Sequence, residues 1–85
     1  MRPIPAAVRR DVLTRDGERC VLCGRPGPGL HLHHFLHTRG AGGKDVPENL
    51  AALCGVCHAE VHQAPERKRA LAEVMRRRGI TTRVV

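Results

Sequence analysis

Eighty-five residues leave room for one domain, and a chain this short buries too small a fraction of its surface for an apolar core alone to hold it. The apolar 41% is mostly Ala, Val and Leu, with one Phe and no Trp or Tyr, which excludes aromatic burial as the source of stability and calls for a staple. Fifteen Lys and Arg against eight Asp and Glu give a formal charge of +7, which points to a polyanionic partner, nucleic acid being the default. No run of about 18 apolar residues exists, which excludes a membrane-spanning helix.

In chain order, Pro5 suits the first turn of a helix running to about Asp16, with Val8, Val12 and Leu13 as its apolar stripe and Gly17 ending it. Cys20-Val-Leu-Cys23-Gly24 reads as a metal-binding knuckle, and residues 25–29 (RPGPG) as a loop. From Leu30 the pattern alternates, placing His31 and His33 on one face of a strand and Leu30 and Leu32 on the other. His34 then faces away from His33, so a bend at the strand end is expected if both serve one site. Residues 37 to 47 hold three glycines and a proline and read as a mobile loop, with room for a short second strand hidden in it. Pro47-Glu48-Asn49 opens a short turn, and Leu50 and Leu53 supply apolar contacts before the second knuckle, Cys54-Gly55-Val56-Cys57. Helices are expected from about Val56 to Gln63 and, after Pro65, from Glu66 to Arg78, the latter with Leu71, Val74 and Met75 on its apolar side and Gly79 as its cap.

Two Cys-x-x-Cys pairs separated by thirty residues favour one structural zinc on Cys20, Cys23, Cys54 and Cys57 over two disulfides or a redox pair. The first residues hold no apolar stretch of the kind a secretory leader needs, so the compartment that disulfides require is not indicated. On the helix that follows, His58 and His62 share a face, whereas Cys57 is rotated about 100° from His58, so one helix would serve two sites. His33, His34, His58 and His62 can therefore meet between a strand end and a helix face. Three neutral imidazoles would hold a divalent metal with positions left open, and a fourth could take a proton from water. A nucleobase deaminase is excluded because His31-Leu-His33 has no glutamate and Ala52-Leu53, without proline, precedes Cys54; a two-Cys, two-His finger is excluded because Cys23 to His31 is too short.

These residues resemble the HNH endonuclease family: the pair His33-His34, the central Asn49-Leu50, and the final Cys57-His58-Ala-Glu-Val-His62, with the four cysteines of its zinc-bearing subset. The resemblance spans about residues 8 to 63. It implies a small zinc-stapled, treble-clef-like α+β nuclease domain of the ββα-metal kind, occupying 1–85 with a core at about 18–63 and flanking helices at about 5–16 and 66–78. It further implies that His34 is the general base, that Asn49 pins the loop that holds His34 in line, and that His33, His58 and His62 ligate a catalytic Mn, Ni, Co, Zn or Mg. His31 and His37 are extra to the motif and read as surface residues. Hydrolysis of DNA phosphodiesters to 5′-phosphate and 3′-hydroxyl ends would follow, by nicking or double-strand cleavage, with little sequence preference. Arg39, Lys44, Arg67 and Arg76 are the candidate phosphate contacts, and double-stranded DNA is the favoured substrate because one Phe offers little for base stacking. A free-standing chain of this size resembles intracellular, cytoplasmic nucleases of bacteria, phages and mobile elements, where a second copy or a packaging or recombination protein directs the cut. The rival reading is a zinc-stabilised DNA-binding or adaptor module without catalysis.

Overall fold

The structure is a computed structural model that describes residues 4–35 and 45–80. Three helices surround a two-stranded antiparallel sheet: α1 (Ala6–Arg15), β1 (His31–His34), β2 (Leu50–Leu53), α2 (Gly55–Gln63) and α3 (Pro65–Arg77), with a 3-10 turn at Pro47–Asn49 leading into β2. This is the small α+β architecture expected.

Helix boundaries follow local chemistry. Pro5 precedes α1, and Asp16 closes it; Gly17 (φ 69°) and Glu18 (φ 55°) then turn the chain through the left-handed region. The Glu18 N–H donates to the Leu13 carbonyl at 2.8 Å, satisfying one of the last orphan carbonyls of the helix. Ala64 ends α2 and begins α3, because Pro65 has no N–H to continue the α2 ladder but suits the first position of a new helix. Gly79 (φ 75°) closes α3, with Ile80 N–H donating to the Met75 carbonyl.

The short strand expected within residues 37–47 falls mostly outside the described residues, which omit 37–44. The strand that pairs with β1 is Leu50–Leu53. All four of its residues are buried, so the stretch shows no alternation; a strand covered on both faces reads as a short apolar run that periodicity cannot separate from a buried turn. Its register sets His31 opposite Leu53, His33 opposite Ala51 and His34 opposite Leu50. Because directly paired residues share a face, the small Ala51 side chain leaves space beside His33 for α2.

The core is aliphatic, with Val12, Leu50, Leu53, Leu71 and Met75 fully buried together with one polar residue, Asn49. A buried ion pair joins α1 to it. The Asp16 carboxylate, wholly inaccessible, receives two guanidinium bonds from Arg15 (2.8 and 2.9 Å) and the Ala52 N–H (3.0 Å). Arg15 in turn donates to the carbonyls of Pro47 and Leu50, on either side of Asn49. Arg15, which lies off the apolar stripe of α1, is the residue through which α1 grips the turn and β2.

Candidate functional site

Two clusters of ligand-forming side chains flank α2. In the first, the sulfurs of Cys20, Cys23, Cys54 and Cys57 all lie within 4.8 Å of one another, and no pair is bonded. Cys23 Sγ and Cys54 Sγ are 3.7 Å apart, the edge of a tetrahedron built on metal–sulfur bonds of about 2.3 Å. Local backbone geometry creates the arrangement. The Cys20 N–H donates to the Arg25 carbonyl and the Gly24 N–H to the Cys20 carbonyl, folding the knuckle, while the Val21 N–H donates to Ala52 and pins it to β2. Cys54 lies in the turn before α2 as its cap, its sulfur accepting the Cys57 N–H at 3.4 Å.

The thiols also show the electrostatics of a metal site. Burial raises the Cys20 thiol, but the backbone groups of Cys54, Cys23 and Leu22 outweigh it and bring Cys20 down to about 7. Cys57 is pushed far up by burial and by the neighbouring thiols. Four thiols at this spacing cannot all ionise unaided, and a divalent cation is what would allow it. The cluster fits a structural zinc.

In the second cluster, the ring nitrogens of His33, His58 and His62 lie within 4.8 Å of one another. His33 projects from β1; His58 and His62, one turn apart on α2, present Nε2 atoms 3.1 Å from each other. His33 is 7% exposed, and its Nε2 is buried without a hydrogen-bond partner among the described residues. Burial first, then His58 and His62, hold His33 down to about 4, so at neutral pH it is an uncharged imidazole with a lone pair to give. Burial, His62 and His31 likewise lower His58. A buried orphan nitrogen converging with two further imidazoles fits a divalent metal, since leaving it unpaired would otherwise cost about 1–3 kcal/mol.

His34 follows His33 on β1, where alternation turns it to the opposite face. It is the last residue of β1, and a cavity of about 350 Å³ is bordered by His33, His34, His62, Gln63 and Lys68 together. A larger cavity, about 600 Å³ between α1 and the knuckle loop, shares none of these residues. Asn49 is buried at the end of the 3-10 turn, its carbonyl accepting the Phe35 N–H and its own N–H donating to Val46. The turn carrying Asn49 is thereby tied to the residue that follows His34.

Several participants were missed in the sequence. His34 Nε2 lies 2.7 Å from Asp45 Oδ1. His31, read as a surface residue outside the motif, is exposed, but its Nδ1 is 2.8 Å from His58 Nδ1; its shared strand face with His33 was the available signal. Lys68 is the basic residue of α3 that borders the cavity. Arg67 bridges Glu60 at 3.3 Å and Arg76 pairs with Glu73, while Arg39, Lys44 and His37 lie outside the described residues.

A family model described as HNH endonuclease matches residues 20–64, more than half of the chain and a span that holds both clusters. No curated protein matches the chain.

Proposed function

The chain belongs to the HNH endonuclease family, and we propose that it is a metal-dependent endonuclease hydrolysing phosphodiester bonds of double-stranded DNA. The observation that carries this reading is the buried His33 Nε2, without a hydrogen-bond partner among the described residues, converging with His58 and His62 beside His34.

His33, His58 and His62 would hold one divalent cation, of Mn, Ni, Co, Zn or Mg. When bound, it supplies positive charge where the phosphate and the departing 3′ oxygen gain negative charge. His34, on the rim of the same cavity, takes a proton from water as the water oxygen forms its bond to phosphorus. The bond to the 3′ oxygen breaks, and a proton from solvent completes the 3′-hydroxyl, leaving a 5′-phosphate. Asn49, buried and tied through its backbone to Phe35 and Val46, holds the turn beside His34 in place. Lys68 at the cavity edge is placed to meet a phosphate, and such contacts position a duplex without reading its sequence. One site cuts one strand, so a double-strand break needs a second copy or a second visit. Four unpaired cysteines suit an intracellular setting, where thiols stay reduced.

The test is nicking of supercoiled plasmid across Mg, Mn, Co, Ni and Zn, beside His34→Ala shown to retain structural zinc. The wild type should nick, and the variant should lose about 10²–10⁴-fold in rate while binding DNA equally. If neither protein cuts while both bind, the chain is a zinc-stapled binding module instead.

A further inference from the structure

His34 has a partner that the motif does not supply. Asp45 Oδ1 lies 2.7 Å from His34 Nε2, and the two side chains are only 13% and 16% exposed. The turn that follows Asp45 is held from both directions. Four residues after Asp45, the Asn49 carbonyl binds the N–H of Phe35, next to His34, and Arg15 grips the carbonyls of Pro47 and Leu50. The Asn49 N–H to Val46 bond closes the turn directly after Asp45.

From this geometry we propose that Asp45 is a positioning residue that fixes the ring orientation and tautomer of His34. The inference rests on the reading of His34 as the base. A carboxylate at neutral pH only accepts hydrogen bonds, so the ring nitrogen facing it carries the proton. A neutral imidazole has one N–H, so with Nε2 protonated the lone pair sits on Nδ1. Nδ1 is therefore the atom that takes the proton from water. A backbone carbonyl or a water could orient the ring as well, but neither would also stay paired with it as a counter-charge once both nitrogens are protonated. A short, mostly buried contact makes that pairing stronger than it would be in water.

Asp45→Asn tests this with the least change in shape, because its amide can donate to Nε2 and so select the opposite tautomer. Wild type, Asp45→Asn and Asp45→Glu, each loaded with structural zinc, would be compared in three ways. The His34 ring is read by two-bond ¹H–¹⁵N NMR, nicking by kcat and KM separately, and divalent-cation affinity by calorimetry. The expected result is an Nε2-protonated His34 in the wild type and an Nδ1-protonated one in Asp45→Asn. With it, kcat should fall about 10²–10⁴-fold at unchanged KM and cation affinity, with partial recovery in Asp45→Glu. An Nδ1-protonated ring in the wild type overturns the proposal whether or not plasmid is cut. So does an Asp45→Asn variant whose kcat stays within about threefold of wild type, or one whose KM rises and cation affinity falls along with kcat, which would mark a merely structural residue. An Nε2-protonated ring in a wild type that never cuts keeps the Asp45–His34 assignment and overturns the nuclease reading instead.

Discussion

Replacing Asp16 by Ala tests whether α1, which precedes the family-matched span, is part of the structure that holds the site. An acidic residue at a helix C-terminus opposes the helix dipole by about 0.3–1 kcal/mol, so nothing local favours a carboxylate there. Its favourable terms are tertiary. Removing it orphans the buried Ala52 N–H, at about 1–3 kcal/mol, and deprives Arg15 of a two-pronged partner. Loss of one member of a buried pair typically costs about 3–5 kcal/mol. Arg15 retains the Pro47 and Leu50 carbonyls and is 23% exposed, and relief of the dipole repulsion offsets part of the loss. We therefore expect about 3 kcal/mol for Asp16→Ala and about half that for Asp16→Asn, which keeps an acceptor for Ala52. With a urea slope of about 1 kcal/mol/M for a small chain, the Ala midpoint should fall by about 3 M. The assay is urea unfolding at saturating zinc, followed by far-UV circular dichroism because the chain has no Trp or Tyr. A loss below about 1 kcal/mol, within the range of ordinary surface changes, would refute the clamp, as would equal losses for the two variants.

In protein free of catalytic cation, His33 should make stability fall with acid. Its folded value of about 4 lies below its ordinary one, so the unfolded chain binds the extra proton between about pH 6.5 and 4. The loss across that window should approach roughly 3 kcal/mol and be missing from His33→Leu, the difference between the two urea midpoints cancelling zinc-site protonation; parallel pH profiles would contradict it. Stripping zinc with a strong chelator, or Cys57→Ser, should abolish helical circular dichroism, since a zinc cluster of this kind supplies about 10–16 kcal/mol in small zinc domains; an unchanged spectrum would rule against the staple. Lys68→Ala should weaken duplex binding uniformly across sequences and flatten the slope of log K against log salt by about 0.9, measured by fluorescence anisotropy. Arg76→Ala, whose guanidinium is already paired with Glu73, should change that slope less.

What could be read in the sequence was what short-range chemistry dictates. The two knuckles, the break at Pro65, the glycines that end α1 and α3 and the i, i+4 histidines of α2 are all set within a few residues, and each lies within a residue or two of its expected place. Cys54 as the residue before α2 followed from the same arithmetic, because inclusion in the helix would have turned it onto the His58 face. The misses have a different cause. Leu50–Leu53 became a strand because the zinc knuckle, α1 and β1 all cover it, and four apolar letters do not announce that. Asp16, Asp45 and Lys68 look like ordinary polar residues; what gives each its place is a partner 11 to 36 residues away or a cavity that exists only after folding. Short-range spacing can nominate metal ligands, but the carboxylate partners of Arg15 and His34 are set by tertiary structure.

The sharing of α2 between the clusters gives the zinc site a consequence for the chemistry. Cys54 and Cys57 fix the first turn of a nine-residue helix, and His58 and His62 hang from the next two turns. The sheet against which that helix packs has two strands among the described residues, an arrangement that is marginal in water without further support. The span from Cys54 to His62 is eight residues, about 12 Å of helix, short enough to behave as a rigid lever. Anchoring its start therefore fixes the direction in which both imidazoles point, relative to a His33 already held by its pairing with Ala51. Converging ligands require placement to within about half an ångström, and a frayed first turn would lose it without altering a single histidine. On the proposed reading of His33, His58 and His62 as metal ligands, the cysteines serve the placement of those ligands as much as the stability of the fold.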